Sequence, residues 1–148
     1  MFSVTSAWKN AFPGACAGVL AVSNVANPEV HLGLEVQKKA LEDQIRAQFA
    51  GQDRRAITAL APIRAYDAFY KRFNKTYHVQ LQLESIAFKG KNIPTAGALV
   101  EAFFMAEIKN LLLTAGHDLE TMRLPATLDV ANGSEEYMLL RGVQQRLK

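Results

Sequence analysis

The most polar spot in the C-terminal half of the chain is His117-Asp118. An imidazole beside a carboxylate can orient water or donate a proton to an ester oxygen. The same pair also suits a structural role, with Asp118 capping the next turn and His117 filling space at a helix end. The structural role is the one favoured. His31, His78 and His117 are far apart, with no Cys-x-x-Cys or His-x-x-x-His pair. That spacing argues against a structural zinc site. No Gly-x-Ser-x-Gly places a nucleophilic serine. Gly90 stands alone between lysines, so no glycine-rich loop cradles phosphate. The chain therefore carries no self-sufficient catalytic motif, and no cofactor is expected.

The densest basic region comprises Lys71, Arg72, Lys75, Lys89 and Lys91, with Tyr66, Tyr70 and Tyr77 interleaved. Such a set can track an RNA backbone and stack bases. A solvated helix face followed by a loop explains it equally well. Seventeen basic against fourteen acidic residues leave a net charge of +3. An excess this mild permits an anionic partner without requiring one.

The 148 residues, 49% of them apolar and 21% charged, suit one globular domain and not a disordered chain. Cys16, flanked by Ala15 and Ala17, is the one cysteine, so no internal disulfide forms. It reads as a small buried thiol in a reducing compartment. No apolar run approaches the roughly 20 residues of a membrane span. The N-terminus does not read as a secretory signal. A cytoplasmic, soluble protein is expected.

The elements that must position these groups follow from periodicity. Phe2 to Thr5 and the apolar run Ala17 to Val25 read as strands, with a turn at Pro13-Gly14. Asn27-Pro28-Glu29 reads as a helix start. Leu34, Leu41, Ile45 and Phe49 then share one helical face, with Lys38, Lys39, Glu42, Asp43 and Arg46 at the other positions. Gly51 ends that helix, and Asp53 caps a short successor reaching Pro62. Ile63, Tyr66, Phe69, Tyr70 and Phe73 repeat at helical spacing and read as core rather than a base-stacking surface.

Val79 to Leu83 alternates like a strand, yet Val79, Leu83, Ile86 and Ala87 also fit a helix. Lys89 to Pro94 is a basic loop. Ala98 to Leu113 is apolar almost all round and is expected to be the most buried helix. Thr127 to Ala131 and Glu136 to Leu140 read as strands joined by a hairpin at Asn132-Gly133. The tail Arg141 to Lys148 is polar, without a clear partner. The expected fold is α+β, a mixed sheet packed with helices. Its central helix, Ala98 to Leu113, is expected to pack on strands 17–25, 127–131 and 136–140.

From Tyr66 onward the order of segments resembles a known family. The segments are Tyr66-Asp67-Ala68-Phe69-Tyr70-Lys71-Arg72-Phe73, Lys89-Gly90-Lys91-Asn92-Ile93-Pro94 and Leu99-Val100-Glu101-Ala102-Phe103. Asp118-Leu119-Glu120, Ala131-Asn132-Gly133-Ser134-Glu135 and Leu140-Arg141-Gly142 follow. They resemble the tRNA-binding and editing domain formed by the third and fourth modules of the phenylalanyl-tRNA synthetase beta chain, and most of all its free-standing relatives. The resemblance covers a little over half of the chain, and it implies a helix over Gln80 to Phe88. It also implies that the C-terminal part of the family domain is absent here, because relatives continue past the Leu-Arg-Gly turn into further β structure.

The resemblance implies binding of tRNA or aminoacyl-tRNA, with a pocket for the amino acid that includes the positions of Phe104 and Ala115. In the synthetase the domain hydrolyses tyrosine wrongly esterified to the phenylalanine tRNA. This chain departs from that pattern. Ala115 stands where the synthetase has a histidine, His117 replaces an aromatic residue, and Phe104 replaces a common asparagine. Weak or no hydrolysis is therefore expected. One alternative is a free-standing editing hydrolase, an ester hydrolase in which His117, Asp118 or Glu135 places the water. Another is a small-metabolite binder on the same fold, taking an amino-acid-like ligand. If Lys71, Arg72, Lys89 and Lys91 converge on the pocket rim, RNA is favoured; if they scatter, the metabolite reading gains.

Overall fold

The structure, a computed structural model, describes residues 2–139 and 141–147. The chain divides into two compact units, one of Met1–Ser23 with His117–Lys148 and one of Asn24–Gly116. The first holds short strands and one short helix; the second holds five helices among the described residues. Helices and strands thus both occur, as an α+β composition requires.

In the first unit, strand β1 (Phe2–Val4) pairs in parallel with β2 (Ala126–Leu128), Phe2 opposite Ala126 and Val4 opposite Leu128. Thr5 ends β1 and caps helix α1 (Ser6–Ala11), its hydroxyl accepting from the Trp8 N–H at 3.1 Å. Strand β3 (Glu136–Met138) pairs antiparallel with β4 (Gln144–Arg146), and a Glu136–Arg146 ion pair at 2.9 Å spans the two strands. The strand order corrects the expected hairpin at Asn132-Gly133. There the Glu135 carboxylate accepts from the backbone N–H groups of Asn132 and Gly133 and closes a local turn. β2 takes β1 as partner, and β3 takes the tail, read as unpartnered. Leu140 and Lys148, at the ends of the expected strand and tail, lie outside the described residues.

Ala17 to Val25 forms no strand. Val19 and Leu20 are 63% and 87% exposed, and Asn24 bends the chain at φ +57°. An apolar run becomes a buried strand only when neighbouring strands pair its backbone, and among the described residues none does. Cys16, on this segment, is exposed rather than buried.

The second unit comprises α2 (Leu32–Gln48), α3 (Arg54–Thr58), α4 (Ala61–Lys71), α5 (His78–Lys89) and α6 (Ala98–Asn110). α5 packs against α2, α3 and α6, and α2 also meets α6. The core draws on Leu41 and Ile45 of α2, Phe49 just past its end, Ile57 and Ile63, Val79, Leu83 and Ile86 of α5, and Ile108 of α6. The alternating segment at Val79 is therefore helical. α5, with five buried residues, is the central helix.

α6 is shorter and more exposed than its composition suggests. It ends at Asn110, followed by Leu111 at φ +56°. Phe103 is 43% exposed, Phe104 half-buried and Ile108 buried. Glu101 and Glu107 take inward positions instead. Within its unit α6 packs on helices, and among the described residues the strands form two separate pairs, so the expected three-stranded sheet is not built there.

The helix start at Asn27-Pro28 is also corrected. α2 begins at Leu32, where the Leu34 N–H donates to Nδ1 of His31. Asn27 caps α6 instead: its Oδ1 accepts from the Leu99 N–H at 2.9 Å, and the Pro28 carbonyl accepts from the Ala98 N–H. Gly97, at φ +89°, has no side chain to do so, and a helix start needs acceptors for its first N–H groups.

Candidate ligand groove

The basic loop between α5 and α6 is held at several points. Gly90 leaves α5 at φ +64°, a left-handed conformation that glycine adopts without strain, and the Lys91 N–H returns to the Ser85 carbonyl. Arg46 of α2 donates to the Lys91 carbonyl at 3.1 Å and to Oδ1 of Asn92 at 2.7 Å. Glu42 accepts from the Ile93 N–H at 2.7 Å, which anchors the buried Ile93 side chain. Glu101 of α6 accepts from the Ala96 N–H at 3.1 Å. A loop with so many backbone partners is an ordered wall rather than a free strap.

Beside this wall runs a groove of about 360 Å³, lined by Leu81, Gln82, Ser85 and Ile86 of α5, Lys91 to Pro94 of the loop, and Phe104 and Ile108 of α6. Its floor is apolar. Ser85 donates its hydroxyl to the Leu81 carbonyl at 2.8 Å. The side-chain oxygen of Gln82 is buried without a hydrogen-bond partner. Among the described residues Lys91 is the one charged side chain of this lining. A more open concavity of about 500 Å³ lies at the starts of α2 and α6, around His31 and Leu99, and there His31 Nδ1 is already taken by the Leu34 N–H.

Of the residues singled out from the sequence, Phe104 and Lys91 line the groove, and Lys89 ends α5 next to Gly90. Ala115 is exposed and does not line it. Lys71, Arg72 and Lys75 lie at the end of α4 and in the turn before α5. Because α5 is about 18 Å long at 1.5 Å per residue, the basic residues fall into two groups at its opposite ends. They do not converge on one rim.

His117, Asp118 and Glu135 belong to the strand-bearing unit. Asp118 caps a turn: Oδ1 accepts from the Glu120 N–H, and its carbonyl accepts from the Thr121 hydroxyl. His117 is exposed, with no side-chain hydrogen bond among the described residues. The Asn132 N–H, followed by neighbouring backbone N–H groups, holds the Glu135 carboxyl below the usual glutamate range. A carboxylate stabilised in this way is a weak base near neutral pH. Asp118 and Glu135 therefore have local structural roles.

The buried charges are likewise engaged. Lys38 bridges Glu35 at 2.6 Å and Glu101 at 2.7 Å. Glu84 accepts from Gln80 and Arg54, each at 2.7 Å. Glu107 accepts from the Thr114 N–H at 2.8 Å and faces His78 at 3.7 Å. Lys38 and Glu42, expected off the apolar face of α2, are both buried. The spacing contained the signal, since 34, 38, 41, 42, 45 and 49 all fit the inward stripe of one helix.

The tyrosines are committed to packing. Tyr77 is fully buried and stacks on Tyr66 with ring centroids 4.2 Å apart. Its hydroxyl donates to the Leu111 carbonyl at 3.3 Å, and burial pushes its pKa well above the usual tyrosine value. The Tyr66 hydroxyl accepts from the Leu113 N–H, so both rings tie α4 and α5 to the segment after α6. Gln82, Asn92, Arg46 and Glu42 were not singled out as site residues. Gln82 had no visible signal, because its role depends on which face of α5 meets α6.

No family model, curated protein or solved structure matches this chain.

Proposed function

We propose that this chain binds aminoacyl-tRNA, taking the esterified amino acid into the groove between α5 and α6, with weak or no hydrolysis of the ester. The observation that carries this reading is the pairing of an apolar floor, including Phe104, with the buried, unpartnered oxygen of Gln82. An unpaired buried acceptor costs about 1–3 kcal/mol, which a ligand N–H would recover once the Gln82 side chain turns its oxygen toward the groove. The α-ammonium of an esterified amino acid is such a donor, and its side chain suits the apolar floor. Lys91 supplies a cation for the phosphate backbone. With Lys91 as the one charged group of the lining among the described residues, the groove offers no carboxylate or imidazole to activate water. The resemblance to the synthetase beta chain supports the same substrate class.

A second reading, binding of a free amino-acid-like metabolite, is favoured by the distance of Lys71, Arg72 and Lys75 from the groove. The reading as an editing hydrolase has less support, since Asp118 and Glu135 carry structural hydrogen bonds.

The test compares equilibrium binding of phenylalanyl-tRNA, uncharged tRNA and phenylalanine methyl ester to the purified chain. The reading expects the charged tRNA to bind most tightly, and Gln82→Met to abolish its advantage over uncharged tRNA. Binding of the ester without either tRNA selects the metabolite reading. Equal affinity for charged and uncharged tRNA would sink the groove as the amino-acid site.

A further inference from the structure

Between Arg64 and Lys75 the chain carries four basic residues and one acid, Asp67. This short stretch holds the whole cationic excess, because the rest of the chain has thirteen charges of each sign. The charge is concentrated where α4 ends. Lys71 pairs with Asp67 at 2.7 Å, and Asn74, at φ +54°, turns the chain so that Lys75 follows directly. Lys71, Arg72 and Lys75 are all exposed.

Two aromatic rings share this end. The stripe that includes Ile63, Tyr66 and Tyr70 packs inward, while Phe69 is 36% and Phe73 47% exposed. Their centroids are 5.3 Å apart, and the Arg72 guanidinium lies 5.7 Å from one and 5.9 Å from the other. A guanidinium over a ring face still has its edge N–H groups for an anion. The pull of a helix C-terminus on cations accounts for Lys71 and Arg72, but not for the half-exposed Phe73 ring beside them.

We propose that this end of α4 docks single-stranded RNA, with Phe73 stacking on a base and Lys71, Arg72 and Lys75 holding the adjacent phosphates. This deepens the tRNA reading and rests on it, since it adds an RNA contact at α4 to that of Lys91 at the groove. A single strand is the fitting partner because its bases have free faces, whereas duplex bases are already stacked on one another. Of the tyrosines of this region, Tyr77 is buried and Tyr66 and Tyr70 are half-buried against it, which leaves Phe73 as the most exposed ring of this stretch.

The test is fluorescence anisotropy on the full chain with a labelled single-stranded RNA of about a dozen nucleotides and a duplex of the same sequence. The single strand is expected to bind more tightly. Phe73→Leu keeps the apolar bulk and removes the ring; it is expected to weaken binding by about tenfold with the salt dependence unchanged. Phe73→Trp is expected to bind at least as well as the parent. Lys71→Ala with Lys75→Ala is expected to flatten the slope of log K against log salt by about 1.4, two phosphates on a single strand. Circular dichroism confirms that each variant is folded.

Unchanged affinity in Phe73→Leu, equal affinity for duplex, or no RNA binding at all overturns the proposal. So does full displacement by poly-glutamate, which would mark a surface that reads charge alone. The two readings fail separately. If Phe73 variants are silent while Gln82→Met loses its preference for charged tRNA, the groove stands and this surface falls. RNA binding that depends on Phe73, without any preference for charged tRNA, does the reverse.

Discussion

Lys38 Nζ of α2 lies 2.7 Å from Glu101 Oε2 of α6, with both side chains buried. Glu101 also accepts from the Ala96 N–H, so one carboxylate ties two helices and the wall of the groove together. Removing one partner of such a pair leaves the other charge buried. Glu101→Ala is expected to lower unfolding free energy by about 3 kcal/mol in urea titrations. Lys38→Met with Glu101→Leu is expected to recover much of that loss, because neither charge is then stranded.

The same pair sets a pH dependence. The hydrogen bond from Lys38 holds the Glu101 carboxyl below its ordinary value, and this outweighs the opposing effect of burial. Burial disfavours the Lys38 ammonium, but its bonds to Glu101 and Glu35 prevail and raise its pKa. A depressed carboxylate adds stability that is present above its unfolded value and lost as pH falls through its folded value. A raised lysine adds stability that is present below its unfolded value and lost as pH rises through its folded value. Stability is therefore expected to fall on the acid side, below the usual glutamate range, and again in strong alkali. Glu101→Gln is expected to flatten the acid limb in denaturant titrations across pH.

Gly116 is set against Phe103. A Cβ at Gly116 would lie 2.7 Å from Cε2 of that ring. Gly116→Ala is expected to cost about 1–2 kcal/mol, since the ring must move aside. Phe103→Ala is expected to cost about 1–2 kcal/mol rather than the 3–5 of a buried phenylalanine, because the ring is 43% exposed. In the double variant the two costs are expected to fall short of their sum. A thermal-unfolding double-mutant cycle measures the coupling, and simple additivity would mean that the contact does not form.

Asn27 Oδ1 caps α6 across a gap of 72 residues. Asn27→Ala is expected to destabilise the helical unit by about 1 kcal/mol, and Asn27→Asp by less. Hydrogen exchange at the Leu99 amide reports the loss directly.

His117 has no partner to orient its ring among the described residues, and it is exposed. Any deacylation of mischarged tRNA is expected to be slow, and His117→Ala is expected to change its rate by less than about tenfold, under 1.4 kcal/mol of barrier. Brisk activity that collapses in His117→Ala would select the hydrolase reading.

What the sequence determined by itself was local. The helical face of Leu41, Ile45 and Phe49, the Asp53 cap, the Pro13-Gly14 turn and the loop from Lys89 to Pro94 are each visible in neighbouring residues, because each depends on spacing or on local turn chemistry. Lys91, expected as an RNA contact, and Phe104, expected as a pocket position, both line the groove, while Ala115, expected beside Phe104, does not. Tertiary structure decided the rest. Whether Ala17 to Val25 is a strand depends on a partner for its backbone. Whether Asn27 caps its own helix or α6 depends on where the chain returns. Whether Val79 to Leu83 is helix or strand depends on the neighbours it packs against. The inward turn of Lys38, Glu42 and Glu101 depends on each finding a partner on another element, and so does the burial of Tyr77 in place of Phe73. Local pattern shows which groups seek cover, and distant contacts choose among them. A buried charge survives only beside its partner, and a ring reaches the surface when others have filled the core.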